Sequence, residues 1–86
     1  MMDVTGKKYL TIEVEATGEY VIEYSTEQYV DIFNNTSSSI KISTDEITTD
    51  NYALIPAGGA YNSLRLTGGK LYVIANVAGD VSVIAR

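Results

Sequence analysis

Apolar and polar side chains alternate along most of this chain with the period of two that marks strands buried on one face. Over residues 9–15, Leu10, Ile12 and Val14 fall on one side, and Thr11, Glu13 and Glu15 on the other. Over 20–24, Tyr20, Ile22 and Tyr24 oppose Val21 and Glu23. Ala16-Thr17-Gly18-Glu19 separates the two segments, which predicts a turn and a hairpin joining them. Over 28–34, Val30 and Ile32 alternate with Tyr29, Asp31 and Phe33. A polar loop at 34–39 and a short strand at 40–42 follow. Residues 43–50 are acidic and Thr-rich, and predict a loop or a single helical turn capped by Asp45.

The strand expected at 52–55 ends in Pro56-Ala57-Gly58-Gly59, where proline withholds a donor and glycine allows a tight reversal. Over 61–66, Leu64 and Leu66 face away from Ser63 and Arg65, and turns at 67–69 and 77–80 lead into strands at 70–76 and 81–85. No segment of ten residues carries a helical period. The pattern therefore predicts a single all-β domain over residues 1–86. It is expected to be a small antiparallel β-sandwich or barrel of about eight short strands, with Greek-key or jelly-roll-like connections.

Three strands break the alternation by being apolar on both faces. In 29–33, Tyr29 and Phe33 oppose Val30 and Ile32; in 71–76, Tyr72 and Ile74 oppose Leu71, Val73 and Ala75; in 81–85, Ile84 opposes Val81 and Val83. A two-layer sandwich has one interior, so the second face of such a strand meets water or another chain. Covering one Tyr or Ile side chain is worth about 1.5–3 kcal/mol of transfer free energy. Tyr29, Phe33, Tyr72, Ile74 and Ile84 are accordingly the candidate protein-interface residues, and a homo-oligomer or a larger assembly is the expected state.

Composition strengthens this picture and removes most chemistry. Val, Ile and Thr make up 26 of 86 residues, and there are seven Tyr, all types that suit a pleated, half-buried surface. The absence of Cys and His excludes disulfides, thiolate or imidazole metal ligands and a histidine base. Eleven Asp and Glu against six Lys and Arg give a net charge of −5, which opposes a phosphate backbone as partner. No run approaches the ~18 apolar residues of a membrane helix, and residues 1–8 contain no apolar core of a signal peptide. Neither a nucleic-acid nor a membrane partner is expected, and no cofactor, metal or catalytic residue.

The remaining candidates each have a plainer reading. Asp45, Glu46, Asp50 and Asn51 supply oxygen ligands at no recognised Ca²⁺ spacing and read as a solvated loop. Glu13, Glu15, Glu19 and Glu23 would form an acidic stripe across the first hairpin, facing a basic surface or simply water. A catalytic carboxylate pair needs a walled cleft, for which 86 residues leave little room. Lys7, Lys8, Lys41 and Lys70 form no Ser–Lys motif, and Gly58-Gly59 and Gly68-Gly69 lead into strands, not a phosphate-cradling helix. Asn34-Asn35-Thr36 and Asn35-Thr36-Ser37 match the N-glycosylation pattern, yet without a signal peptide they read as loop chemistry. An alternative role is a carbohydrate-binding module with a platform of Tyr20, Tyr24, Tyr29, Tyr61 and Tyr72.

Three stretches carry a family resemblance. They are Val30-Asp31-Ile32-Phe33-Asn34-Asn35 running to Ile40-Lys41-Ile42-Ser43, then Tyr52-Ala53-Leu54-Ile55-Pro56-Ala57-Gly58-Gly59-Ala60-Tyr61. The third is Gly69-Lys70-Leu71-Tyr72-Val73-Ile74-Ala75 with Ala78-Gly79-Asp80-Val81-Ser82-Val83-Ile84. Together they resemble the small β-sandwich virion accessory proteins of tailed bacteriophages and prophages, over roughly residues 28–86. The resemblance implies a non-enzymatic virion protein that decorates a capsid, roots a head fibre or joins tail parts. Its partners would be copies of itself, the capsid or other virion proteins, and its location the virion. A capsid-decorating or head-auxiliary subunit is the leading expectation.

Overall fold

Each alternating segment can bury one face, and the molecule solves this with two sheets whose buried faces meet. The structure, a computed structural model, describes residues 2–3, 8–14, 18–24 and 27–85. Its strands are β1 (Met2–Asp3), β2 (Tyr9–Val14), β3 (Gly18–Glu23), β4 (Gln28–Asn34), β5 (Ile40–Ser43), β6 (Ala53–Ile55), β7 (Ala60–Leu66), β8 (Lys70–Ala75) and β9 (Gly79–Ala85). The first sheet has the order β1-β3-β8-β5-β6 and the second the order β2-β9-β4-β7. All pairings are antiparallel except the short β1, which lies parallel on β3.

From β2 onward, every step along the chain changes sheet except β5 to β6. Two four-stranded sheets in the orders β3-β8-β5-β6 and β2-β9-β4-β7 make an eight-stranded jelly roll, to which β1 adds an edge. The expected all-β sandwich is therefore present. The expected hairpin between residues 9–15 and 20–24 is not. β2 pairs with β9 through Leu10↔Val83 and Ile12↔Val81, while β3 pairs with β8 through Tyr20↔Val73 and Ile22↔Leu71. The two-faced strands explain the difference. β8, β9 and β4 are each flanked on both sides, so neighbouring strands cover part of their outer apolar faces.

The core draws equally on both sheets. Ile22, Tyr24, Ile40, Ile42, Ile55, Leu71, Val73 and Ala75 come from the first sheet and its strand ends. Ile12, Val14, Val30, Ile32, Leu66, Val81, Val83 and Ala85 come from the second. At about 1.5–3 kcal/mol for each large side chain, this packing is the main force holding the sheets together. The turn after β6 closes by Gly59 N–H donating to the Pro56 carbonyl at 2.9 Å, with Gly58 at φ 74°, a conformation that favours glycine. Residues 43–50 form no helical turn; Ser43 ends β5, and 44–50 are an irregular loop. There the Ser43 hydroxyl accepts from Asp45 N–H at 3.1 Å, and Asp45 Oδ1 accepts from Glu46 N–H at 2.8 Å.

The polar loop at 34–39 conceals a buried network. Asn34 is fully buried at the end of β4. Its amide nitrogen donates to the carbonyls of Ser38 at 2.8 Å, Ile55 at 2.9 Å and Pro56 at 3.1 Å. Its Oδ1 accepts from Thr36 N–H at 2.9 Å and from the Thr36 hydroxyl at 2.6 Å. One side chain thus ties the β4–β5 loop to the end of β6.

Candidate functional site

Strand register sets which outward side chains stand together. On the first sheet, Glu19, Ile74, Lys41 and Leu54 form one row across β3, β8, β5 and β6. Val21, Tyr72 and Ser43 form the next. Glu23 then faces Lys70, with Oε2 and Nζ 3.9 Å apart. On the second sheet, Tyr9, Ile84 and Asp31 share a row, and Thr11, Ser82, Phe33 and Ala60 the next.

Of the residues expected at an interface, Tyr29, Phe33 and Ile84 lie on the outer face of the second sheet. Tyr72 and Ile74 lie on the outer face of the first. They form two patches on opposite sides of the sandwich. Phe33, Tyr72, Ile74 and Ile84 are half-buried, because central strands are screened on both flanks. The most exposed large apolar side chains are on edge strands: Tyr9 at 78% on β2 and Leu54 at 57% on β6. Sequence reasoning passed over both, although alternation with Leu10 and with Ala53 and Ile55 marks each as outward-facing.

The polar surroundings of the two patches differ. Beside Tyr29, Arg65 Nε donates to Glu27 Oε1 at 2.8 Å, and this bond holds the Glu27 carboxyl below its ordinary value. Beside the first sheet's patch, the Lys41 ammonium sits 4.7 Å from the centre of the Tyr52 ring. The expected acidic stripe across one hairpin is not formed. Glu13 is on the second sheet opposite Asp80, whereas Glu19 and Glu23 are on the first; Glu15 lies outside the described residues.

No shared platform arises from the five tyrosines either. Tyr24 is buried, Tyr20 packs against the core, and Tyr29, Tyr61 and Tyr72 stand on different parts of the surface. Tyr61 instead joins Tyr52 at a cleft of about 270 Å³ on the open side of the sandwich, between edge strands β6 and β7. Ile42, Ala53 and Leu64 give this cleft apolar walls, and Ser43, Thr44, Asp50 and Asn51 border it with polar groups. A second depression of about 410 Å³, bordered by Lys70 and Tyr72, meets it at Thr44.

Edge strand β7 is irregular for a local reason. Val30 pairs with Leu64 but Ile32 pairs with Tyr61, so two β7 residues oppose Asp31 in a bulge. Ser63 takes φ 59° there, and its N–H donates to Asp31 Oδ1 at 2.7 Å. The bulge re-aims Tyr61 toward the cleft. Among the described residues, no group of three Asp or Glu side chains converges as a metal site would require. Comparison with models of known protein families, with curated proteins and with solved structures gives no match.

Proposed function

We propose that this chain is a non-enzymatic structural protein of a bacteriophage virion, a capsid-decorating or head-auxiliary subunit that acts through protein–protein contact. The observation that carries the reading is a pair of apolar patches, one on each outer sheet face, on opposite sides of one small sandwich. Val21, Tyr72, Ile74 and Leu54 form one, and Tyr9, Tyr29, Phe33 and Ile84 the other. No helix covers either face among the described residues. A subunit apolar on two opposite sides suits a place between neighbours, with a copy of itself on one side and the shell on the other. Jelly rolls are recurrent in viral capsids, a supporting analogy of fold, though they also build lectins.

The test is native mass spectrometry of the purified protein, alone and after pull-down from a phage-producing culture. The reading expects an oligomer, or retained virion proteins. Ile74→Glu or Ile84→Glu should abolish the association while leaving the circular dichroism spectrum unchanged. A monomer at high concentration that retains no virion protein would reject it.

A further inference from the structure

The cleft between β6 and β7 combines apolar and aromatic walls with a polar border. Tyr52, just before β6, and Tyr61 on β7 both line it, and Leu64 adds an apolar wall. Asp50 and Asn51 stand at the same cleft, on the segment that leads into β6. Two internal bonds hold these polar groups in place. Thr48 donates its hydroxyl to Asp50 Oδ1 at 3.3 Å, and Asn51 Nδ2 donates to the Glu46 carbonyl at 2.9 Å. Each bond engages part of one side chain. Asp50 keeps acceptor capacity on its carboxylate, and Asn51 keeps both an acceptor oxygen and a second N–H.

We infer that this cleft is a binding site for a neutral pyranose sugar. A pyranose has a face of C–H groups that packs on an aromatic ring and a rim of hydroxyls that donate and accept hydrogen bonds. Tyr52 and Tyr61 take the first, and Asp50 with Asn51 takes the second. A carboxylate accepts from two adjacent hydroxyls, and the amide beside it both donates and accepts. The volume of about 270 Å³ suits one sugar ring. The Asp50 carboxylate and the chain's net charge of −5 disfavour acidic sugars, so the ligand carries no negative charge. Lys41, 4.7 Å from the Tyr52 ring centre, helps to fix that ring. The site lies on the open side of the sandwich, adjoins the first sheet's outer face at Lys41 and Ser43, and does not depend on a role in a virion.

The experiment is an amide NMR titration of the full chain with methyl α-glucopyranoside, methyl β-galactopyranoside and N-acetylglucosamine, each to about 50 mM, the range for a weak single-ring ligand. Maltose and lactose form a second arm, to separate a free monosaccharide from the end of a glycan chain. Saturable shifts confined to residues 42–44, 50–53 and 61–64 are expected with at least one sugar. Tyr52→Ala and Asp50→Asn should each weaken that binding about tenfold or more. Tyr61→Ala, which removes the second ring, should weaken it as well. Absence of saturable shifts with all five sugars would overturn the proposal, as would equal shifts with glycerol or tighter binding of glucuronic acid than of glucose. Unchanged affinity in a folded Tyr52→Ala variant would also overturn it.

Discussion

Asn34 shows how much one buried polar side chain can fix. With no exposed surface, it serves three carbonyls and two Thr36 donors, so its removal strands polar groups that water cannot reach. Asn34→Ala should cost about 2–4 kcal/mol of stability, read by urea or thermal denaturation. Asn34→Asp has nearly the same shape but no amide donor, and should cost at least as much. Tyr24 is the opposite case. Its ring fills the core, yet its buried hydroxyl has no hydrogen-bond partner among the described residues. Tyr24→Phe should therefore be neutral or stabilising by up to about 1 kcal/mol. Burial also raises the Tyr24 pKa above 10.0. A group whose folded pKa is raised favours folding below its unfolded pKa, and that contribution is lost as pH rises toward the folded value. Stability should fall above about pH 10 in the native chain and fall less in Tyr24→Phe, as circular dichroism melts across the alkaline range would show. Glu27 has the reverse sign. Its lowered pKa favours folding above the ordinary value of 4.5 and loses that effect as pH falls, and its exposure keeps the effect small.

At the scale of elements, the start of β9 is constrained by the loop it passes. A Cβ on Gly79 would lie 2.9 Å from Thr36 Cγ2 and 3.0 Å from Thr36 Cα, closer than packed carbon atoms tolerate. Thr36 cannot yield easily, because its hydroxyl and N–H both bond to Asn34. Gly79→Ala should cost about 1–3 kcal/mol, and Thr36→Ser, which removes Cγ2 and keeps the hydroxyl, should recover part of that in the double variant. Edge strands are treated differently from central ones. β7 carries the bulge at Ser63, and β6 is three residues long and is followed by Pro56, both devices that discourage edge-to-edge pairing. β2 is six residues long, opens the second sheet and carries exposed Tyr9, which among the described residues leaves it the freest edge for strand addition.

At the scale of the whole molecule, the jelly-roll order has a kinetic consequence. Among the described residues, only β5 and β6 pair with a sequence neighbour, and β2 must wait for β9, β3 for β8 and β4 for β7 and β9. Long loops must close before most of these ladders form, so refolding should take from about milliseconds to seconds despite the chain's small size. Stopped-flow fluorescence of the tyrosines, after a urea jump, would measure it. Microsecond refolding would contradict this order of events.

The alternation of side chains by itself determined the strands and their inward faces. Ile12 and Val14, Val30 and Ile32, Ile40 and Ile42, and Val81 and Val83 all point to the core as their spacing dictates. Partnership was beyond it, because a period of two says which face is buried but not which sheet supplies the opposite wall. Residues 9–15 and 20–24 therefore read as a hairpin, while the tertiary structure sends β2 and β3 to different sheets. The two-faced strands were visible as a pattern, but only their central places made Ile74 and Ile84 half-buried and divided the expected interface between opposite sides. The Asn34 network and the Tyr52–Tyr61 cleft were equally hidden, since each joins segments that the sequence keeps apart. Local pattern fixes what a side chain must avoid; only packing decides what it meets.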